Sequence, residues 1–152
     1  MLRELELGQV AAVSNSAQQL VVDYRGTAYG DTALLMLARI SVENENYQEA
    51  ISYLSNIVEN SKDSAFQHIA RLRWATLELN YGDLDVAERL LKTEERGSFA
   101  SRYDELQGDM YAAKGEMQKA KQAYQMAIES ASSAISREIL SRKLNLISGV
   151  VD

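Results

Sequence analysis

The sequence predicts an all-α chain: a short right-handed solenoid of about eight helices, with three helical hairpins and one flanking helix at each end. Three observations predict it. Apolar residues recur with helical spacing from near Leu5 to near Ile147, and no strand-like alternation runs longer than a few residues. Three alanines, Ala50, Ala87 and Ala120, stand thirty-seven and thirty-three residues apart in similar surroundings. Finally, Gly115 interrupts the stretch Tyr111–Ile128 where one helix must stop, and glycine enters the positive-φ region there without strain.

The elements follow in order. Val10, Val13, Ala17, Leu20, Val21 and Tyr24 form the stripe of an opening helix over about 5–24, which Arg25-Gly26 breaks. Asp31 reads as the N-cap of a helix running to about Val42. After the polar turn Glu43–Asn46, a second helix extends to about Glu59. Ser61–Ser64 offers caps for a long helix ending at Gly82; Asp83-Leu84 opens the next, which stops by Gly97. Two helices flank Gly115. A closing helix spans about 134–148, with Leu140, Leu144 and Ile147 on one face and Ile139 and Leu146 beside them. The hairpins occupy about 31–60, 64–95 and 98–131 of a single domain, 1–152. Each hairpin has more apolar surface than it can bury alone, so neighbours must stack and the terminal helices must cover the ends.

The third hairpin carries the grammar of a tetratricopeptide repeat: Tyr111, Gly115, Ala120, Tyr124 and Ala127 stand at the offsets of that motif's second half. Ala120 is small because two helices cross there. With Ala50 laid on Ala120, Leu37 and Ala38 fall at helix-crossing positions and Leu54 and Ile57 on the buried face. With Ala87 laid on Ala120, Trp74, Ala75, Gly82 and Leu91 take the matching places. The copies are imperfect. The chain has no proline, the Tyr111 position is Ser41 and Glu78 in the other units, and Glu94 stands where the middle unit needs a late alanine.

At 152 residues, 46% of them apolar and 25% charged, the composition is that of a globular chain able to bury a sizeable core. A net charge of −6 with scattered Lys and Arg argues against nucleic acid, because phosphate recognition requires a basic stripe. The absence of cysteine excludes disulfides. No apolar run approaches the roughly 20 residues of a membrane helix, and Arg39 interrupts the best candidate, Leu34–Ile40, so the chain as given reads as soluble.

Little in the sequence points to chemistry. His68 is the only histidine and has no second histidine or cysteine to complete a metal site. The acidic pairs Glu43/Glu45, Asp83/Asp85 and Glu94/Glu95 lie in turns or at helix ends, where capping and solvation account for them. The glycines form no phosphate-binding loop, and Ser130, Ser132, Ser133 and Ser136 read as caps at a helix junction. These readings predict no enzyme, no metal and no cofactor.

A binding face is the remaining candidate. In a stacked array the first helix of each hairpin lines the concave side, and its outward positions here are Leu35, Arg39 and Val42, then Leu72, Thr76 and Leu79, then Glu105, Asp109 and Ala112. The first two sets are largely apolar and the third acidic. A clamp for a terminal carboxylate needs several Lys and Asn on this face, which offers only Arg39. The competing expectation is that the chain's own first or last helix fills this groove.

Several segments resemble the periplasmic domain of the ancillary SecYEG translocon subunits, the YfgM-like family. They are Leu20–Leu54, Arg71-Leu72-Arg73 with Trp74-Ala75, and above all Gly97–Ala127 with Tyr103-x-Glu105-Leu106-x-Gly108-Asp109. The closing Lys143-Leu144-Asn145-Leu146 also fits. The resemblance implies a soluble piece of a membrane-anchored protein at the periplasmic face of the inner membrane. Its implied partners are the SecYEG translocon and a membrane-anchored periplasmic chaperone of the prolyl-isomerase type. A free repeat adaptor or envelope assembly factor, in the cytoplasm or elsewhere, is the alternative, and a small two-carboxylate hydrolase a more distant one.

Overall fold

A computed structural model describes the backbone of residues 2–149 and the side chains of residues 11–149. Among the described residues there are eight α-helices and no strand. They are α1 (Leu2–Asp23), α2 (Ala28–Glu43), α3 (Tyr47–Asn60), α4 (Ser64–Tyr81), α5 (Leu84–Leu91), α6 (Ala100–Ala113), α7 (Met117–Ser130) and α8 (Ala134–Ser148). A single 3-10 turn, Gly97–Phe99, precedes α6. The chain forms two compact units, residues 1–74 and 75–152, with the boundary inside α4.

In the first unit α1 packs on α2 and α2 on α3. Ala50, Leu54 and Ile57 recur at helical spacing and bury the inner face of α3 completely. Full burial of a side chain such as Leu54 is worth about 1.5–3 kcal/mol, so this stripe holds the hairpin. Ala17, Ala33 and Leu37 form a second small core, with Val21 and Tyr53 packed at its edge. Of the stripe expected on α1, only Ala17 is fully covered; Val13, Leu20 and Tyr24 stay more than 40% exposed. Within its unit α1 packs chiefly against α2, so only a narrow line of it leaves water. The side chain of Val10 lies outside the described residues.

The cap of α2 differs from the expectation. Thr27, in extended backbone, accepts from the Gly30 N–H and is the N-cap. Asp31 lies in the first helical turn, 4% exposed, and its Oδ2 accepts from the Ser61 hydroxyl at 2.6 Å. The helix therefore starts four residues earlier, and Asp31 ties its first turn to the end of α3. Asp63, with its carboxylate on the Ala65 N–H, holds the start of α4.

In the second unit α5 packs on α6, α6 on α7 and α7 on α8. Asp83 caps α5 by accepting from the Asp85 N–H, and the buried Glu78 accepts from the Asp83 N–H. However, α5 ends at Leu91, well short of Gly97. Its terminal carbonyls find partners outside the helix: Gln107 donates to Leu91 O at 3.2 Å and the Arg96 guanidinium reaches the same oxygen. Arg96 also bonds Asp104 at 2.6 Å and lies over the Tyr103 ring. Another turn of helix would displace Arg96 from this position. Glu94, at the missing-alanine position, is accordingly outside any helix.

The α6–α7 crossing is closer than the alanines alone indicate. Ala120, Tyr124 and Ala127 are buried, as expected, and Gly108 faces the Tyr124 ring so closely that a Cβ there would lie 2.6 Å from two ring carbons. On α8, Leu140 is buried and Leu144 and Ile147 are half-buried, while Ile139 and Leu146 are exposed. The latter two lie past the edge of the covered face.

Candidate protein-interaction face

Leu35, Arg39 and Leu72 belong to the first unit, and Thr76, Leu79, Glu105 and Asp109 to the second. Leu35 is half-buried on α2. Arg39, one turn on, is exposed and its Nε donates to Glu43 at 2.8 Å along the same helix. Leu72 is only 7% exposed, so it packs inward rather than presenting itself to solvent. The reason lies in α4 as a whole: Ala70, Leu72, Ala75, Leu77 and Glu78 are all buried and point around most of its circumference. A helix covered on several sides has a narrow outward face. Thr76 and Leu79 are half-buried on it, as is His68.

Glu105 and Asp109 are brought together with Lys143, Tyr124 and Arg102, none of which lies on the expected outward face. Lys143 of α8 reaches Glu105 Oε1 at 2.8 Å and both Asp109 oxygens at 2.8 Å. The Tyr124 hydroxyl donates to Asp109 Oδ1 at 2.6 Å, and Arg102 donates to Glu105 at 2.6 Å. Burial pushes Glu105 up, but hydrogen bonds from Lys143 and Arg102 outweigh it and hold the carboxyl below its usual range. Burial also disfavours charge on Lys143, yet Asp109 and Glu105 raise it on balance. For Tyr124, burial and its bond to Asp109 push the phenol up. The acidic patch is thus balanced internally, by two cations and a phenol. A basic partner there would have to displace Lys143.

This cluster explains the densest segment of the sequence. In Tyr103-x-Glu105-Leu106-x-Gly108-Asp109, Tyr103 and Leu106 fill the core, Gly108 admits the Tyr124 ring, and Glu105 and Asp109 receive Lys143. The signal for Lys143 was present in the sequence as one cation among the apolar residues Leu140, Leu144 and Ile147 of an amphipathic helix. What it pairs with is set by the fold.

The other polar groups of interest serve packing. Of the acidic pairs, Asp83 caps α5, Asp85 receives Lys114 at 3.2 Å, and Glu43 receives Arg39. Lys114 also bonds Glu88 at 2.6 Å, and hydrogen bonds from Lys114 and Lys92 lower the Glu88 carboxyl to about 2. Ser133 caps α8. Among the described residues no three His, Asp or Glu side chains converge as metal ligands, and no helix is long and apolar enough to cross a membrane.

Helical hairpins with small residues at their crossings match a known family. A family model described as a tetratricopeptide repeat-like domain matches residues 1–149. The chain belongs to this family. Among curated relatives of this tetratricopeptide repeat-like chain, the ancillary SecYEG translocon subunit of Aggregatibacter actinomycetemcomitans is 31% identical over 134 residues, 88% of this chain and 65% of the relative. The subunit of the same name from Haemophilus influenzae is 30% identical over 128 residues, 84% of this chain and 62% of the relative. That of Escherichia coli is 24% identical over 133 residues, 88% and 64% respectively. The chain therefore spans a little under two thirds of the length of these relatives. No solved structure matches it.

Proposed function

We propose that this chain is a non-catalytic protein-interaction domain of an ancillary SecYEG translocon subunit. The observation that carries the proposal is the similarity, across most of the chain, to relatives that share that one name. Membership of the tetratricopeptide repeat-like family supports protein recognition as the mode of action. Of the polar groups that could have served chemistry, Glu43, Asp83, Asp85 and Ser133 are engaged in caps and ion pairs, which fits a binding role. In this reading the domain works at the periplasmic face of the inner membrane. It links the translocon to a membrane-anchored chaperone of the prolyl-isomerase type that receives exported proteins.

The recognition positions we propose are Leu35 and Arg39 in the first unit and Thr76 and Leu79 in the second; Leu72 packs inward, and Glu105 and Asp109 are already closed by Lys143. Of their polar members, Arg39 is exposed and Thr76 half-buried. Apolar contact on such a face is worth about 25 cal/mol per Å² before ordering costs. Co-purification with detergent-solubilised SecYEG tests the proposal. Binding by the wild-type chain, weakened by Arg39→Glu and Thr76→Asp variants that keep their helical spectrum, supports it. Failure of the wild-type chain to bind SecYEG would refute it, and undiminished binding by both folded variants would move the site off this face.

A further inference from the structure

A second polar site lies in the first unit, apart from the proposed face. A cavity of about 210 Å³ is lined by Val21, Arg25, Gly30, Asp31, Leu34, Asn56 and Asn60, among others. Its most enclosed charged group is Asp31, which is 4% exposed. One carboxylate oxygen, Oδ2, accepts from the Ser61 hydroxyl at 2.6 Å. Among the described residues no buried side-chain oxygen lacks a partner, so the other, Oδ1, which receives no such bond, stays open to the water of the cavity. Asn60 spends its amide on Asn56 O at 3.0 Å, and the Asn56 carboxamide forms no side-chain bond among the described residues. Arg25 is exposed and forms no ion pair with Asp31.

We propose that this cavity binds a cationic side chain, a lysine ammonium or arginine guanidinium of a partner segment, through Asp31 with help from Asn56. Three physical points carry this. A carboxylate with one oxygen bonded and the other open to a concave wall can accept a further charge-assisted hydrogen bond, and a cation is the donor that makes the strongest one. Val21 and Leu34 give the methylene stem of a long cation an apolar wall. Arg25 opposes a second cation, but as an exposed charge it is screened by water more strongly than the largely buried Asp31. The site does not depend on the translocon reading, since it is defined by the ligand's charge and not by the partner's identity.

The test uses the whole chain, labelled with nitrogen-15, and two probes: Nα-acetyl-lysine methylamide and its uncharged counterpart Nα-acetyl-norleucine methylamide. Saturable amide shifts at Gly30, Asp31, Asn56 and Asn60 with the lysine probe, and none with the norleucine probe, are expected. Asp31→Asn keeps an oxygen for Ser61 and should weaken the lysine probe about tenfold or more, the usual scale for losing a charge-assisted bond. Equal shifts with both probes in the wild-type chain, or no saturable shift at these residues, would overturn the proposal without recourse to any variant. Unchanged affinity in a folded Asp31→Asn chain would also overturn it. None of these results bears on whether the chain binds SecYEG.

Discussion

The α2–α3 hairpin of the first unit and the α6–α7 hairpin of the second lie seventy residues apart and share one register, yet they fill it with different chemistry. Both turns are built alike: the Asn46 N–H bonds Ser41 O at 2.8 Å in one, and the Glu116 N–H bonds Tyr111 O at 2.8 Å in the other. The residue that turns left-handed is Gly115 (φ 75°) in the second and Glu45 (φ 60°) in the first. At the crossing, Ala38 and Leu54 in the first become Gly108 and Tyr124 in the second, so backbone bulk is exchanged for side-chain bulk. Position 41 bonds position 49 through Ser41 and Glu49, and position 111 meets position 119 through Lys119 over the Tyr111 ring. The outward positions diverge most. Arg39 pairs only with its own helix, whereas Glu105 and Asp109 are closed by Lys143 from α8. A repeat conserves its crossing and its turn; what it leaves to a partner is set by what its neighbour supplies.

The largest expected effect tests the crossing. Gly108→Ala places a methyl 2.6 Å from the Tyr124 ring and should cost about 1–3 kcal/mol in urea unfolding, the usual range for overpacking. Adding Tyr124→Leu reproduces the pairing of the first hairpin and should cost less than the two single changes together. Strict additivity would break the comparison. Ala120→Leu should cost a similar amount, because Ala120 is fully buried.

The outward positions come next. Lys143→Met leaves Glu105 and Asp109 each with one partner fewer and should cost about 1–2 kcal/mol, below the buried-pair range because Lys143 is about one-third exposed. Arg39→Ala, at an exposed helical pair, should change stability by no more than about 0.5 kcal/mol. Equal losses would mean that the two faces are not differently closed.

The turns should respond in opposite directions. Glu45→Gly relieves a left-handed backbone and should stabilise by about 1 kcal/mol, while Gly115→Ala should destabilise by about as much. Thermal melts of the two variants read this directly.

The smallest effect is one of pH. Glu88 titrates near 2 in the folded chain against 4.5 ordinarily, because Lys114 and Lys92 donate to it. Its folded-state value is lowered, so its contribution to stability is complete above pH 4.5 and is lost as pH falls towards 2. Lys114→Gln should flatten the melting temperature across that window.

Much of the fold was legible because the signals were local. Ala50 and Ala120 mark the α2–α3 and α6–α7 crossings by size and Ala87 is equally buried, Gly115 and Asp83 mark a turn and a cap, and the α3 stripe is periodic. What the sequence did not reveal depended on groups distant along the chain. Asp31 looked like a cap because capping is a local rule, but its partner Ser61 is thirty residues away. The α5 helix looked longer because Arg96 and Gln107, which hold its end, act through tertiary contact. For the candidate face, helical spacing pointed to Leu35 and Arg39 on α2, of which Arg39 is exposed and Leu35 half-buried, and to Leu72, which is buried because α4 is covered on several sides. Nor could spacing show that Lys143 covers Glu105 and Asp109.

Photo-crosslinking tests the central claim most directly. A photoreactive residue is placed at Arg39 or at Asp109, and the chain is mixed with membranes containing SecYEG. The account predicts a translocon adduct from position 39 and little or none from position 109, which α8 already closes. An adduct from position 109 alone, or none from either position in a folded chain, would contradict it.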